Sequence, residues 1–274
     1  MKLAFSSNAF RKDPIEEVVA ILAGLGYDGL EIMADVPHAW PPDMTPERTA
    51  SLKRALAEHR MGISNVNAFM MCAVGDFHRP SWIEEDPALR KQRLDHTIAC
   101  VRLAKDLGAA TISTEPGGPK DGRPAEAVLP LFRETITPAL READAAGIKV
   151  LVEPEPDCTI ETSRQFLEFS RTVPNPSFGL NCDIGHFYCV GEEPADVVRA
   201  MKGRVGHVHL EDIAADRKHH HLTPGDGAID YGRLFDAFRE TGYDGWITVE
   251  LYPFQDNPRD TAARAIDFLK PYLG

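Results

Sequence analysis

Short, apolar, β-branched-rich runs recur along the chain, and each is followed by a longer segment in which apolar positions repeat at helical spacing among Ala, Leu, Glu and Arg. The runs predict strands at Lys2–Ser6, Gly29–Met33, Gly62–Asn67, Ala110–Thr114, Lys149–Glu153, Ser177–Asp183, Val205–Leu210 and Trp246–Leu251. Helix starts lie between them: Pro14, Thr45-Pro46, Pro87, Pro124, Thr162-Ser163, Pro194, Asp230 and Asp260 or Thr261. Pro130 and Pro138 are expected to break the segment that ends at Ala146. Gly26, Gly108, Gly147 and Gly242 stand just before strands, where a helix ends in a left-handed residue. The string Gly-Tyr-Asp-Gly occurs at 26–29 and again at 242–245, each time leading into a strand. Eight strand–helix alternations without a linker predict an α/β chain folded as one (β/α)8 TIM barrel over residues 1–274. A doubly wound open sheet is disfavoured, because no G-x-G-x-x-G follows the first strand. Long connections at about 34–45 and 68–86 are expected to cover the barrel mouth.

Composition narrows the partners. Hydrophobic residues make 43% of the 274 and charged residues 26%, which suits a globular domain. The net charge of −12, with no basic cluster, argues against nucleic acid and anionic membrane surfaces. Five cysteines without a C-x-x-C pair predict a reduced, cytoplasmic protein, and no apolar run approaches the roughly 18 residues that span a bilayer. A homo-oligomer is compatible with the sequence, but no interface can be picked out.

In such barrels chemistry collects at the C-terminal ends of the strands. Glu153, Asp183, His209 and Glu250 stand there, on four successive predicted strands. Three carboxylates and one imidazole cannot be buried together without a counter-charge, so one divalent cation is expected among them: Mn2+, Mg2+, Co2+ or Zn2+. Glu115 ends the fourth strand and should also face the mouth. His207 shares a strand face with His209 and is placed to support it, while Asp212 could orient His209 or Arg217. Trp40, Phe69 and Trp82 lie in the long connections, where they either stack on a sugar or pack as a lid.

The motifs Gly-Tyr-Asp-Gly-Leu-Glu-Ile (26–32), Val-Leu-Val-Glu-Pro (150–154), Asp-Ile-Gly-His (183–186), His-Val-His-Leu-Glu-Asp (207–212), Pro-Gly-Asp-Gly-Ala-Ile-Asp (224–230) and Gly-Tyr-Asp-Gly-Trp-Ile-Thr-Val-Glu (242–250) carry a resemblance over most of the chain. The sequence resembles the xylose isomerase-like sugar phosphate isomerase/epimerase superfamily. The resemblance implies that Glu153, Asp183, His209 and Glu250 bind a single metal. It further implies that Glu153 and Glu250 form an acid/base pair, and that His186 and Arg217 contact substrate. The implied activity is isomerisation or epimerisation of a sugar or keto-sugar through an enediolate, with a small carbohydrate-like molecule as partner.

Two residues stay open between roles. Glu115 could bind substrate or a second metal, and His221 falls where an apurinic-site endonuclease branch places a further zinc ligand. The nearest alternative function is a dehydratase of a keto-polyol. A polynuclear zinc phosphodiester hydrolase is disfavoured by the net charge, by Asn67 and by Glu115 where that branch carries histidine. A non-catalytic barrel is disfavoured because all four ligands are present.

Overall fold

The computed structural model describes residues 1–273, and within them the strands close into a parallel barrel in chain order. The strands are β1 (Lys2–Ser6), β2 (Gly29–Met33), β3 (Gly62–Asn67), β4 (Thr111–Thr114), β5 (Lys149–Val152), β6 (Phe178–Asp183), β7 (Val205–Leu210) and β8 (Trp246–Val249). Pairing of β1 with β8, Lys2 opposite Trp246, shuts the ring and leaves no open sheet edge. The α-helices are α1 (Ile15–Leu25), α2 (Pro46–His59), α3 (Pro87–Leu107), α4 (Ala125–Ala146), α5 (Ser163–Ser170), α6 (Ile184–Cys189), α7 (Pro194–Ala200), α8 (Tyr231–Thr241) and α9 (Pro258–Leu273).

Local chemistry accounts for the helix ends. The Thr45, Asp86 and Asp230 side chains accept from the first-turn amides of α2, α3 and α8, and Thr162 with Gln165 forms a reciprocal capping box on α5. The glycine repeat has a packing reason as well. A Cβ at Gly29 would collide with the Trp246 ring, so the first copy of the motif makes room for the strand that follows the second.

Three sequence expectations need correction. Pro130 and Pro138 do not break α4, which runs unbroken from Ala125 to Ala146. Its inner face buries Val128, Phe132, Ile136 and Leu140, at roughly 1.5–3 kcal/mol per side chain. That offsets the ~3 kcal/mol that each interior proline costs. The sixth unit contains an unexpected short helix, α6, whose first turn is capped by Asp183 accepting from the His186 amide at 2.7 Å. Glu153, expected as the last residue of β5, and Glu250, expected inside β8, are each the first residue beyond the strand. Their amides still donate to the neighbouring strands, to Thr114 O and Leu210 O at 3.1 Å, which holds both side chains at the mouth.

Apolar residues fill the layer between barrel and helices, whereas the barrel interior below the mouth is polar. His207 bonds there to Asn181 and Thr248 at 2.8 and 2.7 Å, Thr248 donates to Ser64, and Asn65 donates to Ser113. This fully hydrogen-bonded floor is a rigid support for the charged groups above it. Among the described residues, no helix is long and apolar enough to cross a membrane.

Candidate active site

Glu153, Asp183, His209 and Glu250 converge at the mouth, with one donor atom from each within 4.8 Å of the others. His209 Nδ1 lies 2.8 Å from Glu153 Oε1, 3.6 Å from Glu250 Oε2 and 3.8 Å from Asp183 Oδ2. All four are buried, and Asp183 Oδ2 has no hydrogen-bond partner. An orphaned carboxylate oxygen aimed at two further carboxylates and an imidazole nitrogen has the donor set and charge deficit that suit one divalent cation.

The remaining atoms of these groups are taken up by neighbours. His209 Nε2 donates to Glu31 Oε2 at 2.7 Å, which turns Nδ1 toward the acids. Asn181 Nδ2 donates to Glu153 Oε2 at 2.8 Å, and Asn8 Nδ2 donates to Glu250 Oε1 at 2.8 Å. Both Glu153 oxygens are thus engaged, Oε2 by Asn181 and Oε1 by His209 Nδ1 at 2.8 Å, whereas Glu250 keeps Oε2 without a hydrogen bond. Burial alone would raise the Glu31 pKa, but the His209 imidazolium and the Asn65 amide pull it down to about 2. Burial opposes charge on His209, yet Glu153, Glu250 and Glu31 hold it well above the usual imidazole range. The Glu250 carboxyl is pushed up by burial; His209 opposes this, while Glu153, Glu31 and Asp183 add to it.

Glu31, Asn8 and Asn181 were not singled out in the sequence. The signal for Glu31 is an acid inside the apolar strand Gly29–Met33, a position that must find a cationic partner or stay neutral. Asn8 follows β1 in an unremarkable loop sequence and offers no such signal.

The other predicted residues divide. His186 lines the mouth cavity, its Nδ1 donating to Pro154 O at 3.0 Å and its Nε2 3.6 Å from Asp183 Oδ2. His207 points into the barrel and bonds to Asn181 and Thr248 rather than to His209. Arg217 does not reach the cavity: it stacks on the Tyr188 ring at 4.0 Å and donates to Tyr188 O at 2.7 Å. Asp212 contacts neither His209 nor Arg217, because the amides of Ile213, Gly225 and Ile229 take up its carboxylate.

Glu115 joins neither the metal cluster nor the cavity lining. The Trp82 amide binds its Oε1 at 3.0 Å, and burial, which nearby Arg93 only partly offsets, raises its pKa to about 7. A second centre shared by Glu115 and His221 is thus not assembled. His221 instead donates from Nδ1 to Glu250 O at 2.9 Å and groups with Asp183 and Glu211. Both Glu211 oxygens are buried without a partner beside Asp183, so a proton or a cation must lie between the two carboxyls. Gly185 belongs to this arrangement, since a Cβ there would occupy the position of the Glu211 carboxylate.

Phe69, Met70 and Phe77 from the 68–86 connection, with Tyr252 and His219, close over Glu153, Glu250 and His186. The enclosed space is about 20 Å3, room for roughly one water. The cavity as it stands has no room for a sugar-sized molecule. The base of the 68–86 segment is fixed by the buried Arg93, which donates to Pro80 O, Ala68 O and Phe69 O. Trp82 is an anchor rather than a sugar-stacking residue, buried against Phe132 and donating to Thr114 Oγ1 at 3.1 Å. Trp40 packs on His96 outside the mouth.

The chain is similar to known proteins. Fructoselysine 3-epimerase of Shigella flexneri is 23% identical over all of this chain and 98% of its own length. Inosose dehydratase of Lacticaseibacillus casei is 28% identical over 46% of this chain and 49% of its own. Among solved structures, a D-tagatose 3-epimerase-like protein superposes with a TM-score of 0.85 at 21% identity, covering 100% of this chain and 97% of that one. The IOLI protein, whose structure holds a zinc atom, superposes with a TM-score of 0.80 at 19% identity over 99% of both chains. The family model for xylose isomerase-like TIM barrels matches residues 19–272. The chain belongs to the xylose isomerase-like TIM barrel family.

Proposed function

We propose that the protein is a divalent-metal-dependent epimerase of a keto-sugar, with Glu153 and Glu250 as its acid/base pair. The supporting observation is the pairing of these two carboxyls. They stand at the ends of β5 and β8, on different sides of the barrel mouth, and both line the cavity beside His186. Asn181 and Asn8 each hold one oxygen of the pair.

A cation held by Glu153, Asp183, His209 and Glu250 would polarise the substrate's carbonyl and hydroxyl oxygens and so acidify the intervening C–H. One carboxylate oxygen takes that proton while the C–H electron pair moves toward the carbonyl. The carboxyl on the other side returns a proton to the same carbon, and the configuration inverts. Burial pushes the Glu153 and Glu250 carboxyls both upward, and the His209 imidazole opposes it at each. Phe69, Phe77 and Tyr252 limit the access of water to the reacting carbon, while the two carboxyls exchange their protons with solvent between turnovers.

Metal content and solvent exchange test the proposal together. One divalent ion per chain is expected, lost in Asp183→Ala, with deuterium entering D-tagatose, D-psicose or D-fructose from D2O. Glu153→Gln and Glu250→Gln should each slow that exchange by about 10²–10⁴-fold. Undiminished exchange in either variant, or a chain that takes up no Mn2+, Co2+ or Zn2+, would overturn it. The inosose dehydratase relatives support one second reading, elimination of a neighbouring hydroxyl after the same proton abstraction. It is recognised by a product lighter by one water.

A further inference from the structure

We infer that His207 is a positioning residue for Glu153: it acts through Asn181, whose side-chain amide it holds in the orientation that donates to the Glu153 carboxylate. The inference rests on the reading of Glu153 as a metal ligand and acid/base group.

The strand pairing prepares the contact. β6 and β7 run Leu180 opposite Val205 and then Asn181 opposite His207, so Gly206 is an extra residue on β7. Such a one-residue bulge re-aims the side chains beyond it. Here it brings Asn181 level with His207 and Asp183 level with His209, and all four are buried. A Cβ at Gly206 would strike the Leu151 side chain, which is a packing reason for glycine at the bulge.

The hydrogen bonds that follow have a single polarity. His207 Nδ1 donates to Asn181 Oδ1 at 2.8 Å. Asn181 Nδ2 donates in turn to Glu153 Oε2 at 2.8 Å and stands 3.2 Å from His209 Nδ1. Turned over, the amide would set its oxygen against a Glu153 oxygen and its N–H groups against the His207 N–H, replacing both bonds by repulsions. Among the described residues His207 is the one side chain that bonds Asn181 Oδ1, and burial denies that oxygen a donor from bulk solvent. The imidazole is itself held from behind, its Nε2 2.7 Å from Thr248 Oγ1, which bonds to Ser64 at 2.9 Å. It makes no hydrogen bond to Glu153, Asp183, His209 or Glu250, so its effect on them passes through Asn181. Glu31 and Asn8 hold His209 and Glu250 directly, whereas Glu153 is held by this two-step chain.

The test uses Co2+, whose visible absorption reports ligand geometry. Affinity is read by chelator competition, and folding by thermal unfolding of the metal-free protein. His207→Leu removes both the donor to Asn181 and the contact with Thr248. His207→Asn keeps a side-chain N–H beside Asn181 but is too short to reach Thr248. His207→Leu should weaken Co2+ binding by about tenfold or more and alter the spectrum, while His207→Asn should keep near-wild-type affinity and spectrum. Asn181→Leu should weaken Co2+ comparably, and adding His207→Leu to it should change the affinity by less than about threefold. Wild-type Co2+ binding in His207→Leu, equal losses in His207→Asn and His207→Leu, or losses that multiply in the double variant overturn the inference and leave the metal reading intact. If His207→Leu does not fold, His207→Asn decides alone: a Kd within about threefold of wild type supports the two-step chain, and a larger loss overturns it. If the wild type binds no Co2+, the metal reading falls and the inference falls with it.

Discussion

Replacing Glu31 by Gln removes one charge from the fully buried centre of the barrel without changing side-chain size. Glu31 accepts from His209 Nε2 at 2.7 Å, from Asn65 Nδ2 at 2.9 Å and from Asn67 Nδ2 at 3.3 Å. A glutamine offers one acceptor oxygen, and its amide then faces at least one of these donors. The charge-assisted bond to His209 is worth about 1.5–3 kcal/mol, and part of it is lost. His209 is also freed to rotate, and loss of such an orienting partner typically weakens metal binding by roughly 10–100-fold. The assay is competition with a chelator for Co2+ or Zn2+, in parallel with thermal unfolding of the metal-free protein. Expected are a Kd raised by about 10–100-fold and a Tm lowered by roughly 4 °C. A Kd within twofold of wild type and an unchanged Tm would refute the claim that Glu31 sets the orientation of His209.

Two further substitutions probe groups around the site. Glu115 has its pKa raised by burial to about 7, so between about pH 4.5 and 7 the folded state holds a proton that the unfolded state has released, and stability falls as pH rises through that window. Glu115→Gln should therefore be more stable than wild type at pH 8, by up to roughly 3 kcal/mol, and show no gain near pH 4.5; urea unfolding at both pH values checks the sign. Gly185→Ala places a methyl group against the Glu211 carboxylate and should cost about 1–3 kcal/mol in urea unfolding, with recovery in the Gly185→Ala/Glu211→Ala double variant; additive losses would refute that contact.

The eight-fold strand–helix repeat and the convergence of Glu153, Asp183, His209 and Glu250 were legible because each depends on local pattern. Strand ends in a parallel barrel share one rim, so acids and a histidine spaced by one βα unit must meet. Arg217 was misplaced because sequence spacing to His209 says nothing of the Tyr188 ring that captures it. Glu115 was misassigned for a similar reason. The strand-end position is correct, but the Trp82 amide of a distant segment binds the carboxylate. The prolines of α4 illustrate the reverse case, in which burial of one helix face overrides a local breaker.

The sequence by itself determined the fold class and the meeting of Glu153, Asp183, His209 and Glu250 at one rim, since periodicity and strand-end position are properties of the chain read in order. Only the tertiary structure decided which groups are pinned and which are free. Glu31, Asn8, Asn67 and Asn181 come from four different strand–loop units, and their hydrogen bonds to His209, Glu153 and Glu250 exist only once the barrel closes. The same closure leaves Arg217 outside the cavity. Charge compensation in a buried site is a balance over neighbours distant in sequence, so it is settled by packing rather than by spacing.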